Sequence, residues 1–154
     1  MSHAPRIAAL TAAIGLATAL PAFAETNTGQ TDVTGTWHGE YTVVVPTNAR
    51  GDGPRFNEAE WQLHITDQQD NVFYGETKFR RQGSDSWNTR QVTGNLSADG
   101  EGRIGMLETR TEPPYEVTGV IDGRLDGDKI YVDFRSLNRG ATYSAVLEKT
   151  DADA

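Results

Sequence analysis

The sequence predicts an all-β domain, an antiparallel up-and-down meander of about eight strands closed into a barrel or strongly curved sheet. Three observations lead there. Short runs alternate apolar and polar residues at period two, the pattern of strands with one buried face. Turn-forming residues separate these runs, among them Asp99-Gly100 and Asp126-Gly127, where glycine supplies the positive φ of a tight hairpin. The chain also has no cysteine, so a meander without disulfide staples gains most by closing on itself and hiding its edges.

Val33 to Val45 is the first clear strand, with Trp37, Gly39, Tyr41, Val43 and Val45 on one face and Thr36, His38, Glu40 and Thr42 on the other. Gly35 and Gly39 flank Trp37 and suggest a strand that curves around a large ring. Residues 46–57, with Pro46, Gly51, Gly53 and Pro54, make a loop longer than a tight hairpin, the length at which lids and binding loops occur. Its Arg50-Gly51-Asp52 tripeptide is a chance meeting of common loop residues. The second strand, Glu58 to Thr66, places Trp61, Leu63 and Ile65 inward, and 67–71 turns the chain. Val72 to Arg80 alternates Phe73, Gly75, Thr77 and Phe79 against Tyr74, Glu76, Lys78 and Arg80. Trp87 to Leu96 reads as a more polar strand without a defined inward set. Val92–Ile104 and Val117–Ile130 each run strand, Asp-Gly turn, strand. Ile130 to Arg135 and Ala141 to Lys149 complete the set, with Phe134 and Tyr143 on inward faces.

Residues 1–24 have the form of a cleavable signal peptide: Arg6, an apolar run from Ile7 to Leu20, and the small-x-small site Ala22-Phe23-Ala24, with cleavage expected after Ala24. The apolar run falls short of the ~20 residues that span a bilayer. The expected product is a periplasmic or secreted protein with a tail at 25–32, one domain at 33–150 and a short C-terminal tail at 151–154. The full chain has 14 Lys and Arg against 22 Asp and Glu, a net charge of −8, and removal of Arg6 makes the mature chain more acidic still. Such a surface disfavours nucleic acid and anionic membranes as partners.

Gly35-Thr36-Trp37 on the first strand of an exported eight-strand meander resembles the Gly-x-Trp opening of the calycin group, which includes lipocalins and avidins. The resemblance implies a barrel with the tryptophan across one end and a basic residue near the last strand lying over it. Arg139 occupies that place in the sequence. The biotin-lining residues of avidins and the motif loops of lipocalins have no counterpart here, so neither ligand is carried over.

The chemistry-bearing candidates are few. His38, Glu40, Glu60 and His64 share the polar faces of adjacent strands and could hold a metal or an acid–base pair, but metal-ligand spacing is absent and a solvated charged face accounts for them. The Asp-rich turns lack the ligand order of a calcium loop. No nucleophile elbow, phosphate loop or dinucleotide fingerprint occurs, and neither a cofactor nor a metal is expected. There remain the inward aromatics Tyr41, Trp61, Phe73, Phe79, Phe134 and Tyr143, which either fill a small barrel or line a pocket for an apolar ligand. The expected function is a non-enzymatic exported module that binds a small apolar or amphipathic ligand inside the barrel. The alternative is a protein-interaction module with a solid core, contacting its partner through the acidic exterior and the 46–57 loop. A barrel isomerase using the His38 and Glu60 region comes third.

Overall fold

A computed structural model describes residues 31–46 and 53–150. The expected signal peptide with its cleavage point, most of the 25–32 tail, the Arg50-Gly51-Asp52 tripeptide and residues 151–154 lie outside the described residues. Eight antiparallel strands follow one another: β1 (Gly35–Val45), β2 (Arg55–Gln69), β3 (Val72–Arg81), β4 (Asn88–Leu96), β5 (Arg103–Thr109), β6 (Val117–Asp126), β7 (Lys129–Ser136) and β8 (Thr142–Thr150). Each pairs with the next, and β8 pairs back onto β1, so the sheet is a closed up-and-down barrel.

β2 extends beyond the expected Glu58–Thr66 at both ends: Arg55, Phe56 and Asn57, expected in the 46–57 loop, pair with Val45, Val44 and Val43 of β1, and at the other end a bulge between Ile65 and Asp67 absorbs an extra residue and lets pairing with β3 continue to Gln69. The turn is then only Asp70-Asn71, with Asp70 in the left-handed region at φ 51°. β4 begins at Asn88, one residue after the expected start, and its inward set is defined by its partners. Thr77 on β3 is fully buried and stands opposite Arg90, while Glu108 on β5 stands opposite Val92. Arg90, Val92, Gly94 and Leu96 therefore face the interior.

One end is closed by Trp37, which is 1% exposed and donates its indole N–H to the Val33 carbonyl at 3.0 Å. Val33 is itself buried, and its backbone N–H donates to Gln68 Oε1 at 2.9 Å. The cation over the Trp37 ring is Lys149, with Nζ 5.3 Å from the ring centroid, not Arg139. The correction has a topological cause. Arg139 lies in the β7–β8 connection, its backbone N–H bonded to Ser136 Oγ, and that connection is at the opposite end of the barrel. Trp37 pairs with Lys149, where β8 finishes, so the basic residue comes from the end of the last strand and not from its approach.

Glycines let large rings lie against the wall. A Cβ at Gly94 would stand 2.3 Å from the Phe73 ring, and one at Gly119 would stand 2.2 Å from the Phe134 ring. These mid-strand glycines relieve crowding and leave no empty space over their Cα atoms. Trp87, outside the strands, is half-buried beneath the Arg80 guanidinium, 4.6 Å from its ring centroid.

Two substitution series test this packing. Trp37→Ala removes a buried ring and is expected to cost on the order of 3 to 5 kcal/mol, against about 1 kcal/mol or less for Trp87→Ala. Thermal melts of the two variants check it, and equal losses contradict it. Gly119→Ala is expected to cost about 1 to 3 kcal/mol by displacing Phe134. Gly53→Ala, where a Cβ meets nothing within 4 Å, should change stability by less than about 0.5 kcal/mol in denaturant titrations.

Candidate functional site

Away from the Trp37 end, the interior changes character. β1 brings Tyr41, β2 Trp61, β7 Phe134 and β8 Tyr143 to one place. Tyr143 stacks between Tyr41, at a centroid distance of 4.0 Å, and Phe134, at 4.6 Å, and meets Trp61 edge-on at 5.6 Å. These are four of the six aromatics the sequence singles out. Phe79, half-buried, lies beneath the Arg90 guanidinium at 5.7 Å. Phe73 belongs elsewhere, over Gly94.

Beside the aromatic stack sits a buried polar cluster. β5 alternates Ile104, Met106 and Glu108 inward, so an acidic side chain occupies the third inward position and is only 3% exposed. Its Oε1 accepts from Thr118 Oγ1 at 2.7 Å and its Oε2 from Thr77 Oγ1 at 3.3 Å. Thr118 reaches it because β6 bulges opposite Glu108–Thr109, which turns both Thr118 and Gly119 into the buried interior. The Arg90 guanidinium contributes the nearby positive charge, and its Nη1 donates to the Thr89 carbonyl at 2.8 Å.

Burial pushes the Glu108 carboxyl above its ordinary value, against the opposing pull of Thr118, Arg90 and Thr77. Burial, then the Glu108 charge, pushes the Tyr41 phenol up to about 12. Tyr143 lies well above the usual phenol value for the same first reason, with Tyr41 and Glu108 adding to it. Both phenols therefore stay protonated at physiological pH. Among the described residues, two buried donors in this interior have no acceptor: Trp61 Nε1 and Arg90 Nε. An unpaired buried N–H costs about 1 to 3 kcal/mol unless something supplies an acceptor.

The other sequence candidates do not assemble. His38 stands opposite Gln62, Glu40 opposite Glu60 and Thr36 opposite His64, all on the face of the sheet away from the aromatics. Glu60 is engaged by Arg80 through bonds of 2.8 to 3.1 Å, and His64 Nδ1 lies 3.0 Å from Thr36 Oγ1. No group of three or more His, Asp or Glu side chains gathers as a metal site among the described residues. The Asp-rich turns are occupied by arginines: Asp99 pairs with Arg103, Asp122 with Arg135 and Asp126 with Arg124.

Glu108, Arg90, Thr77 and Thr118 are absent from the sequence-derived candidates. The signal for the first was present: Glu108 follows Ile104 and Met106 at period two. Thr118 had none, because a bulge breaks the alternation that parity counting relies on. Comparison with models of known protein families and with curated protein sequences finds no match.

The raised carboxyl of Glu108 makes a pH prediction. The folded state holds that proton more tightly than the unfolded chain does, so the contribution of Glu108 to stability falls as pH rises from its ordinary value of 4.5 through the folded value. Above that window the contribution stays lost. In melts from about pH 4.5 to about pH 8, the melting temperature of the wild type minus that of Glu108→Gln should decline with pH. A difference that grows with pH would mean that hydrogen bonds and Arg90, not burial, dominate at this site.

Proposed function

We propose that the protein is an exported, non-enzymatic barrel that binds a small amphipathic ligand in the part of the interior formed by Tyr41, Trp61, Glu108, Phe134 and Tyr143. The observation that carries this reading is the pair of buried donors without acceptors, Trp61 Nε1 and Arg90 Nε, in the interior that also holds a buried carboxylate and stacked rings. A barrel needed only as a solid body has no use for that combination, since apolar side chains of similar volume would avoid the desolvation cost of Glu108 and Arg90. The signal-peptide pattern of residues 1–24 supports export.

A different observation favours a second reading, a protein-interaction module. A groove of about 1100 Å³ runs over the outer face of β2, β1, β8, β7 and β6, lined in part by Glu40, Glu60, Asp122, Tyr131 and Asp133. Glu40 stands opposite Glu60, and Asp122 opposite Asp133. Arg80 and Arg135 offset Glu60 and Asp122, so Glu40 and Asp133 carry the surplus negative charge of these pairs, which suits a basic partner.

The indole N–H signals of the 3 tryptophans separate the two readings. In two-dimensional NMR of the mature protein, with each indole assigned by Trp→Phe substitution, addition of small amphipathic compounds should move the Trp61 indole signal saturably. Shifts confined to the amides of β1, β7 and β8 around Glu40, Asp133 and Val146 would favour the outer groove instead.

A further inference from the structure

The groups around the stack also specify the chemical class of the ligand, an inference that rests on the interior-binding reading. The charged groups there are a buried carboxylate, Glu108, and a half-buried guanidinium, Arg90, each facing the other's field. Their formal charges cancel. A cationic ligand would lose its hydration and meet Arg90, whereas an anionic one would lose its hydration and meet Glu108. Neither recovers the cost of burying an uncompensated ion.

What the interior lacks is narrower than a charge. The two unpaired groups, Trp61 Nε1 and Arg90 Nε, are both N–H donors, and neither side chain can accept a hydrogen bond. Trp61 is 0% exposed, and its register partners Gly39 and Phe79 put it on the inward face of β2. Glu108 already accepts from two hydroxyls. An aliphatic or aromatic hydrocarbon would leave both donors orphaned. An amine would bring a third donor to a place that already has two in excess. A carbonyl oxygen brings two lone pairs and no proton, and the flat body attached to it can lie against the Tyr41–Tyr143–Phe134 stack.

We propose that the barrel takes a neutral, flat carbonyl compound without N–H groups, a ketone, lactone or tertiary amide, whose oxygen accepts from Trp61 Nε1, from Arg90 Nε, or from both. The oxygen supplies orientation and the ring stack supplies contact area.

Calorimetric titration of the full mature chain with four bicyclic probes of similar size tests this: 1-tetralone, tetralin, 2-naphthoate and 2-naphthylmethylammonium. Expected is 1-tetralone binding about tenfold tighter than tetralin, the equivalent of one good hydrogen bond, with both ions weaker than the ketone. Trp61→Phe and Arg90→Lys, the latter keeping the charge but removing Nε–H, should each shrink the ketone-to-hydrocarbon ratio to about threefold or less. Thermal melts establish that each variant folds, and either variant alone is sufficient. Equal affinity for ketone and hydrocarbon, or tightest binding by one of the ions, overturns the carbonyl inference and leaves interior binding standing. If no probe binds and the Trp61 indole signal stays fixed, interior binding itself is overturned and this inference falls with it.

Discussion

Closure of β1 against β8 is the constraint on which the remaining structure depends. The first and last strands pair along Thr36–Thr150, Trp37–Lys149 and Tyr41–Ala145, and Thr150 Oγ1 donates to the Thr36 carbonyl across 114 residues of sequence. Nothing covalent holds that seam, since the chain has no cysteine. The entropy of bringing such distant segments together must be recovered by what the closed barrel encloses. Trp37 sits at the seam, buried under Lys149 and bonded to Val33, so the same residue plugs the end and joins the edges.

From that seam the interior divides along its axis. Toward Trp37 the contents are Leu63, Ile65, Leu96, Ile104, Ile130 and Leu147, all buried and apolar. Further along come the ring stack and then the Glu108 cluster, where every group carries a polar atom or touches one. Large rings fit beside so many side chains because Gly94 and Gly119 give up their own volume to Phe73 and Phe134. The apolar end supplies the burial that a small domain needs. The polar end costs burial energy, and residues that cost stability without repaying it locally are the usual mark of a functional region.

How much of this was legible in the sequence depended on whether period two held. β1, β2, β3, β7 and β8 could be located from alternation, whereas β4 to β6 were placed mainly by the turns between them; the inward placement of Tyr41, Trp61, Phe134 and Tyr143 followed from alternation, because one face of each strand is buried and the register cannot slip without exposing that face. Thr77 fell on the inward face of its strand, yet a lone threonine among aromatics carried no chemical signal. Glu108 was readable by the same parity but needed the prior step of expecting a charge where the pattern calls for a hydrophobe. Arg90 was not readable, since Arg90-Gln91-Val92-Thr93 has no strong alternation and only the register with Thr77 fixes its face. The basic residue over Trp37 was misplaced from Lys149 to Arg139 because proximity to a strand in sequence does not say which end of that strand is meant.

The bulge in β6 shows how little separates a polar barrel end from an apolar one. Val117 is exposed, and Thr118 and Gly119 are both buried, so the alternation skips once there and nowhere else along that strand's buried half. Loss of Thr118 would restore a regular ladder, with Val117 still opposite Thr109 on the exposed face, and would remove the shorter of the two hydroxyl bonds that hold Glu108, leaving the carboxylate to Thr77 alone. The composition of the barrel's interior is thus governed at this point by chain length and not by residue type. In a lineage of such barrels, a single-codon insertion or deletion, more than any substitution, would be the event that creates or erases the polar end.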